Sequence, residues 1–232
     1  EVVINEDSFD VDFRVEGNGS TEALFVQGSS GNVGIGAASP ENILHVKTTA
    51  ADEMAKFEST DAGGASGPTI ALHRNSPSPA DNDVIGRIDF LGEDSGSAET
   101  IYGAITGYIL DVTGGTEDGR IDIDVIANNG AANAMRFKAN GARAQATTPD
   151  GTAAIPALSW NDDTDTGIFR PAPNTYAITT TGSERLRIDS SGKVGIGLTA
   201  PSRPLDIQGD GTLPAININQ TSPSNKRATI GF

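Results

Sequence analysis

The sequence contains no cysteine in 232 residues, so disulfides, thiolate metal sites and a cysteine nucleophile are all excluded. Aromatic residues make up only 5% of the chain, which is little for a protein that must build a large hydrophobic core by itself. Long apolar runs are also missing, and no stretch approaches the roughly 18 consecutive apolar residues of a membrane-spanning helix. We therefore expect neither membrane insertion nor cysteine-dependent chemistry.

Basic residues are outnumbered, with 16 Lys and Arg against 31 Asp and Glu and a formal net charge of −15. A surface this acidic repels phosphate backbones, so nucleic-acid binding is not expected. The two histidines, His45 and His73, lie on separate predicted strands and suggest no metal pair or catalytic dyad. The glycine-rich runs lack the Gly-Lys-Ser/Thr of a phosphate loop, so we predict no cofactor.

The sequence is rich in short segments of alternating apolar and polar residues, which are separated by turn residues. The clearest lie at 9–16, 101–112 and 121–125. Because a period of two is typical of half-buried strands, the fold class predicted is all-β. The regular spacing of such segments from 68 to 141 predicts a β-sandwich or an interleaved β-meander, including a strand at 68–73. Residues 50–59 favour a strand over a short helix.

An internal repeat outranks any single residue as an indication of architecture. Residues 29–36 read Ser-Ser-Gly-Asn-Val-Gly-Ile-Gly and residues 190–197 read Ser-Ser-Gly-Lys-Val-Gly-Ile-Gly. Pro40 and Pro201 follow at the same distance, and a short apolar alternation precedes and follows each copy. A third segment, 135–141, resembles the beginning of the unit without its Val-Gly-Ile-Gly.

The Val-Gly-Ile-Gly run places Val and Ile on one face of a strand and leaves the other face bare. A bare face permits another backbone to approach closely, or a sharp bend or bulge to form. Since such a strand cannot make a core alone, we expect three copies of the chain to pack around an axis. The alternative is a glycine-weakened edge strand in a monomeric domain. The predicted trimer-packing residues are Val33, Gly34, Ile35, Gly36, Val194, Gly195, Ile196 and Gly197.

Four segments follow from these patterns. Residues 1–48 form an N-terminal fibre repeat, 49–141 a middle β-domain, and 142–208 a second fibre repeat that opens with a linker at 142–154. Residues 209–232 begin a further β-segment. Because its last residues read like the middle of a strand, we expect the chain to be part of a longer, truncated or cleaved protein.

Aromatic residues supply the candidate binding site. Tyr102 and Tyr108 share a predicted strand face and Trp160 is the sole tryptophan, so we predict that these three residues bind a receptor. The alternative places Trp160 in the core of the trimer. Asp122 and Asp124 share a strand face but lack the apolar pocket that would raise the pKa of one of them, so no catalytic residue is predicted.

Acidic residues cluster once in a way that suggests a cation site. Asp162, Asp163 and Asp165 offer oxygen ligands of the kind that a hard cation prefers. The flanking helices and the terminal bidentate Glu of a calcium loop are absent. We therefore interpret this stretch as an Asp-rich turn and predict no metal site.

Three blocks of residues together resemble bacteriophage tail-fibre and related virion-fibre proteins. They are the repeats at 29–46 and 190–207, the segment 158–171 (LSWNDDTDTGIFRP), and the middle block with 84–90 and 135–137. The resemblance implies an elongated homotrimer of intertwined short β-segments on a virion, used in host attachment and not an enzyme. It implies as partners the chain itself, other virion proteins and a host-surface glycan or protein receptor. Many such fibres end in a self-cleaving chaperone, to which no segment here shows a match.

Other classes of protein remain open at this point. One is a purely architectural capsid or baseplate fibre. Another is a tailspike-type glycan-degrading enzyme, which needs a carboxylate pair in a groove about 5–10 Å apart. A cellular trimeric adhesin is a more distant alternative.

Overall fold

The computed structural model describes residues 10–51, 53–64, 67–127, 130–140, 143–209 and 211. All regular structure in these residues is β-strand, arranged in three sheets of four, five and six strands. The all-β prediction is therefore confirmed. Nearly all of the predicted final segment, 209–232, lies outside the described residues. The chain divides into two compact units, residues 1–71 with the first sheet and residues 72–232 with the other two.

The first sheet has its four strands in sequence order. The strands are β1 (Phe13–Gly17), β2 (Ser20–Val26), β3 (Val33–Ile35) and β4 (Leu44–Val46). The β1–β2 and β2–β3 pairs are antiparallel, whereas β3 and β4 run parallel because the proline-bounded loop returns the chain to the same end. The strand predicted from residue 9 begins only at Phe13 in the described part of the chain.

The second sheet is a five-stranded antiparallel meander. Its strands are β5 (Val84–Glu93), β6 (Glu99–Asp111), β7 (Asp118–Ala127), β8 (Gly130–Asn140) and β9 (Arg143–Thr147). The described residues of the middle block thus form one sheet, not the two packed sheets of a sandwich. The predicted linker at 142–154 is also partly wrong, because β9 lies within it.

Two predicted elements of the middle block are wrong. Residues 68–73 form no strand, and the described residues of 50–59 form neither strand nor helix. Alternation is a local property of the sequence, but a strand also needs a neighbour with which to exchange backbone hydrogen bonds. The third predicted start of the repeat, 135–141, lies mostly in β8 within the meander and does not begin a repeat unit.

The third sheet again has its strands in sequence order, antiparallel except for the last pair. The strands are β10 (Leu158–Trp160), β11 (Asp163–Phe169), β12 (Tyr176–Thr180), β13 (Ser183–Ile188), β14 (Val194–Ile196) and β15 (Leu205–Ile207). The turn predicted over 161–167 is shorter than expected, because β11 already starts at Asp163.

The repeat is one strand longer than the sequence pattern indicated. β1–β4 and β12–β15 have the same pairing order and the same mixture of antiparallel and parallel neighbours. One cross-strand row shows the correspondence: Phe13, Val26, Val33 and Leu44 in the first sheet match Tyr176, Ile188, Val194 and Leu205 in the third. Each repeat is therefore a four-stranded unit that begins with a two-stranded hairpin.

Candidate functional site

The first glycine of each Val-Gly-Ile-Gly motif is covered by a loop of its own chain. A Cβ atom at Gly34 would lie 2.2 Å from the carbonyl oxygen of Ala37, and one at Gly195 would lie 2.8 Å from that of Leu198. Both glycines are buried. The bare face that the sequence pattern predicted thus exists, and in the described structure the close approach is made within one chain.

The last glycine of each motif meets a second backbone segment of its own chain. Gly36 and Gly197 have φ values of +68° and +78°, in the left-handed region that favours glycine. A Cβ at Gly36 would lie 2.3 Å from the carbonyl oxygen of Lys47, and one at Gly197 would lie 2.5 Å from that of Gln208. Both glycines in each motif are therefore required for the unit to close on itself.

In the two repeats, different side chains donate a hydrogen bond to the equivalent carbonyl oxygen of the proline-bounded loop. The Asn32 side-chain amide donates to the carbonyl oxygen of Pro40 at 2.9 Å, and the Lys193 ammonium donates to that of Pro201 at 3.4 Å. These two residues stand at the same position of the repeat. The structure shows that the hydrogen bond is kept while the donor changes.

The position of the one histidine in the repeat also keeps a loop-closing hydrogen bond although the residue differs between the two copies. His45 Nδ1 accepts a hydrogen bond from the backbone N–H of Glu41 at 3.4 Å. In the second repeat Asp206 Oδ2 accepts from the backbone N–H of Ser202 at 2.9 Å, and this bond holds the pKa of Asp206 below its ordinary value. The position therefore needs an acceptor that closes the loop, which explains why histidine and aspartate both occur there.

The face of the third sheet opposite the glycines carries a continuous row of aliphatic side chains. Cross-strand pairing aligns one residue from each of the six strands, and we call this row the aliphatic ladder: Leu158, Ile168, Ile178, Leu186, Ile196 and Ile207. Directly paired residues project to the same face of a sheet. A second row on this face consists of Tyr176, Ile188, Val194 and Leu205. We call the two rows the open face of the third sheet.

Side chains on the open face remain substantially exposed in the single chain. Leu158 is 51% exposed, Leu205 55% and Ile188 40%. The other face is closed: Ala177 and Thr179 are fully buried, and the Thr179 hydroxyl donates to the carbonyl oxygen of Ala153 at 2.9 Å. The sheet therefore has one face completed by its own chain and one apolar face left uncovered.

The first sheet shows the same division between its faces. Phe25, on the glycine side, is buried. On the other side Val15 and Ile35 are each 44% exposed and Leu44 is 60% exposed. The apolar face is thus uncovered in both repeats.

The middle sheet also exposes its apolar face. Ile88, Phe90, Ile121, Val125 and Phe137 are each between 42% and 56% exposed. Gly86 pairs with Gly107, and the Leu72 side chain lies over Gly86. A groove of about 480 Å³, lined in part by Leu72, opens among these apolar side chains. Sequence alternation predicted this division of apolar and polar residues along β6 and β7, and the strand register confirms it.

The polar face of the middle sheet is covered by its own long side chains. Asp122 is only 4% exposed and accepts hydrogen bonds from Arg136 Nε at 2.7 Å and Nη2 at 2.8 Å. Arg120 Nε lies 3.2 Å from Asp122 Oδ1, and its guanidinium stacks 3.9 Å from the centre of the Tyr108 ring. The hydrogen bond to Asp122 raises the pKa of Arg136 above its ordinary value. This face is an ion-pair lattice that stabilises the sheet.

The predicted receptor-binding aromatics lie in different surroundings. Tyr108 already stacks against Arg120. Tyr102 is 45% exposed, and its ring lies over Gly92 on the adjacent strand. Trp160 is 69% exposed at the end of β10, in the third sheet. The β5–β6 register is irregular at Tyr102, and its ring lies on the face of Phe90 and Gly92, whereas Tyr108 lies on the opposite face with Arg120. The predicted shared strand face of the two tyrosines is therefore wrong, and Trp160 lies in another sheet.

The acidic residues of the third sheet do not converge on a cation site. Asp162 lies in the β10–β11 turn, whereas Asp163 and Asp165 lie two apart on β11. Within the described ranges, no group of three or more His, Cys, Asp or Glu side chains could hold a metal ion. Partial desolvation raises the pKa of Asp165 above its ordinary value, and a hydrogen bond that its protonated carboxyl group donates to Asp163 adds to the shift.

This carboxyl pair predicts a pH dependence. Because the pKa of Asp165 in the folded state lies above the ordinary 3.8, stability is lost as the pH rises from that value through the raised pKa. We therefore expect the thermal midpoint of Asp165→Asn to exceed that of the unsubstituted protein by more at about pH 7 than at about pH 3. Asp163→Asn should behave similarly, since it removes the neighbouring charge. Melting curves that shift in parallel at both pH values would show that the two carboxyl groups do not interact.

Comparisons with known proteins assign no family to this chain. Neither the family models nor the curated proteins that were searched match it. The described residues include no helix with the length and apolar character needed to cross a membrane.

Proposed function

We propose that the chain is a segment of a homotrimeric virion fibre of a bacteriophage, most simply a tail fibre, that serves in attachment to the host cell. One observation supports this above the others: all three sheets have an apolar face that the described residues of their own chain leave largely uncovered. In the described residues the buried hydrophobic side chains are only Phe25, Ala37, Ala104, Phe169 and Ala177. A sheet with an apolar face must bury it against another layer.

Association of copies supplies the missing layer. Apolar surface removed from water stabilises by about 25 cal/mol per Å², and uncovered apolar patches of more than a few hundred Å² mark interaction sites on soluble proteins. The repeated unit, the low aromatic content and the resemblance of the motifs to virion fibres support a trimer on a phage particle.

Attachment follows from the same arrangement. The polar loops and the exposed aromatic rings of Tyr102 and Trp160 would be available to a host glycan or protein receptor, or to neighbouring virion proteins. Three equivalent sites in one trimer convert weak single contacts into useful avidity. The protein acts mechanically and adhesively, without a cofactor and without catalysis.

The mass of the particle in solution tests the trimer. Light scattering coupled to small-angle X-ray scattering should give a mass of about three chains of 23.9 kDa each. A single-chain mass would overturn the proposal and leave a monomeric β-protein with exposed apolar faces.

The role in attachment has its own test. Fluorescently labelled trimer should bind intact cells of a susceptible bacterial host and compete with phage adsorption. A trimer that is incorporated into virions but binds no host cell would indicate an architectural capsid or baseplate fibre. Release of reducing ends from host polysaccharide would indicate a tailspike-type enzyme.

A further inference from the structure

We propose that the open face of the third sheet is the surface on which a second copy of this chain packs, so that copies associate by sheet faces. The inference rests on the homotrimer proposed above and names the contact that holds it. It differs from the arrangement suggested by the sequence, in which the glycines of the Val-Gly-Ile-Gly motif lie at the crowded contact between chains.

Backbone pairing within the third sheet leaves side-chain packing as the main route to association. All six strands pair in sequence order within one chain, from β10 to β15. Each inner strand pairs with a neighbour on both sides, and the edge strands β10 and β15 pair on one side only. A neighbour that packs on the open face therefore need not exchange strands, and each chain can form its sheet first.

The glycine side of the sheet is not available for such a contact. The loop from Leu198 to Pro201 lies over Gly195, and the buried Ala177 and Thr179 lie on that same side. A second copy cannot pack directly on this side of the sheet, because the loop of the same chain already covers it. The opposite side offers ten side chains in two rows, none of them charged.

The area of the open face is that of an interaction site. Its ten side chains, on strands about 4.8 Å apart, cover a flat area of about 330 Å². Exposed apolar patches of more than a few hundred Å² mark interaction sites on soluble proteins. A typical stable interface buries about 800 Å² per partner, so the open face would supply about two fifths of one such contact.

Charge and repetition favour a copy of this chain over a foreign partner. A chain of net charge −15 repels its copies wherever acidic side chains meet, but the two rows on the open face carry no charge. The same open face recurs in the first repeat, with Phe13, Val26, Val33 and Leu44 in matching register.

The absence of cysteine makes a direct test possible. Single cysteines are introduced at Ile188, on the open face, and at Ser191, an exposed residue of the turn between β13 and β14. Both variants are then treated with a maleimide reagent as assembled protein. We expect the thiol at 188 to react at least about tenfold more slowly than the thiol at 191, and to match it once the trimer is dissociated.

A second pair of variants tests the energetic role of the face. Ile188→Glu should reduce the trimer fraction, since three chains would bring uncompensated carboxylates into an apolar contact, whereas Ser191→Glu, in an exposed turn, should leave the mass unchanged. Circular dichroism checks that both variants retain β-structure. Rapid labelling at 188 in an intact trimer would overturn the inference while leaving the trimer standing. A monomeric unsubstituted protein would instead overturn the proposed function.

Discussion

Substitution of Gly197 by alanine is expected to destabilise the protein by about 3 kcal/mol, whereas substitution of Gly192 by alanine should cost only about 1 kcal/mol. The two glycines have nearly the same φ values, +78° for Gly197 and +79° for Gly192. Alanine in this left-handed region is strained at either position, so the conformational cost is shared. Their surroundings differ, and this difference accounts for the additional cost at Gly197.

The space around each glycine decides the outcome. A Cβ at Gly197 would lie 2.5 Å from the carbonyl oxygen of Gln208, whereas a Cβ at Gly192 would meet nothing within 4 Å. The Gln208 backbone cannot move freely, because its N–H donates to the carbonyl oxygen of Ile196 at 2.9 Å. The methyl group at 197 must therefore disrupt the parallel pairing of β14 with β15.

Denaturant or thermal unfolding of the two variants measures the difference. For a chain of this length, 1 kcal/mol corresponds to a shift of about 2–4 °C in Tm. The first repeat offers a replicate, since Gly36 and Gly31 have the same contrast between a crowded and an open site. Equal losses for both members of a pair would mean that strain alone explains the glycines and that the backbone contact is unimportant.

Removal of the Asp122 carboxylate is the second large effect that we expect, with a loss of about 3–5 kcal/mol in Asp122→Ala. Asp122 is 4% exposed and binds both Arg136 and Arg120. Its loss leaves two guanidinium groups on the middle sheet without their shared anion. Breaking a buried ion pair by removing one partner leaves an uncompensated charge, which is the costly case.

Asp150 provides the matched control. It also binds an arginine in a bidentate manner, with Arg170 at 2.6 and 3.0 Å, but both side chains are more than half exposed. Solvent screens such a pair, so Asp150→Ala should cost no more than about 1 kcal/mol. Chemical unfolding of both variants would test the contrast. Similar losses for the two would show that the burial of Asp122 does not set its contribution.

The sequence by itself determined which side chains share a face. Strict alternation placed Ile121 and Ile123 opposite Asp122, and the observed register confirms that division. It also identified the two Val-Gly-Ile-Gly copies and the need for small residues in them. These features depend on a period of two along one strand, which is a local property of the chain. Strand partners are not local, so the predicted strand at 68–73 was wrong.

Only the tertiary structure decided what each face contacts. It showed that the chain's own loops cover Gly34 and Gly195, and that β1 and β12 extend the repeat by one strand. It aligned six aliphatic residues from six strands into the ladder, although they are spread from Leu158 to Ile207 in the sequence. Register between strands arises from turns and long-range pairing, so a row that crosses a sheet cannot be read from any one strand. Burial of Asp122 follows for the same reason, since its arginine partners come from β7 and β8.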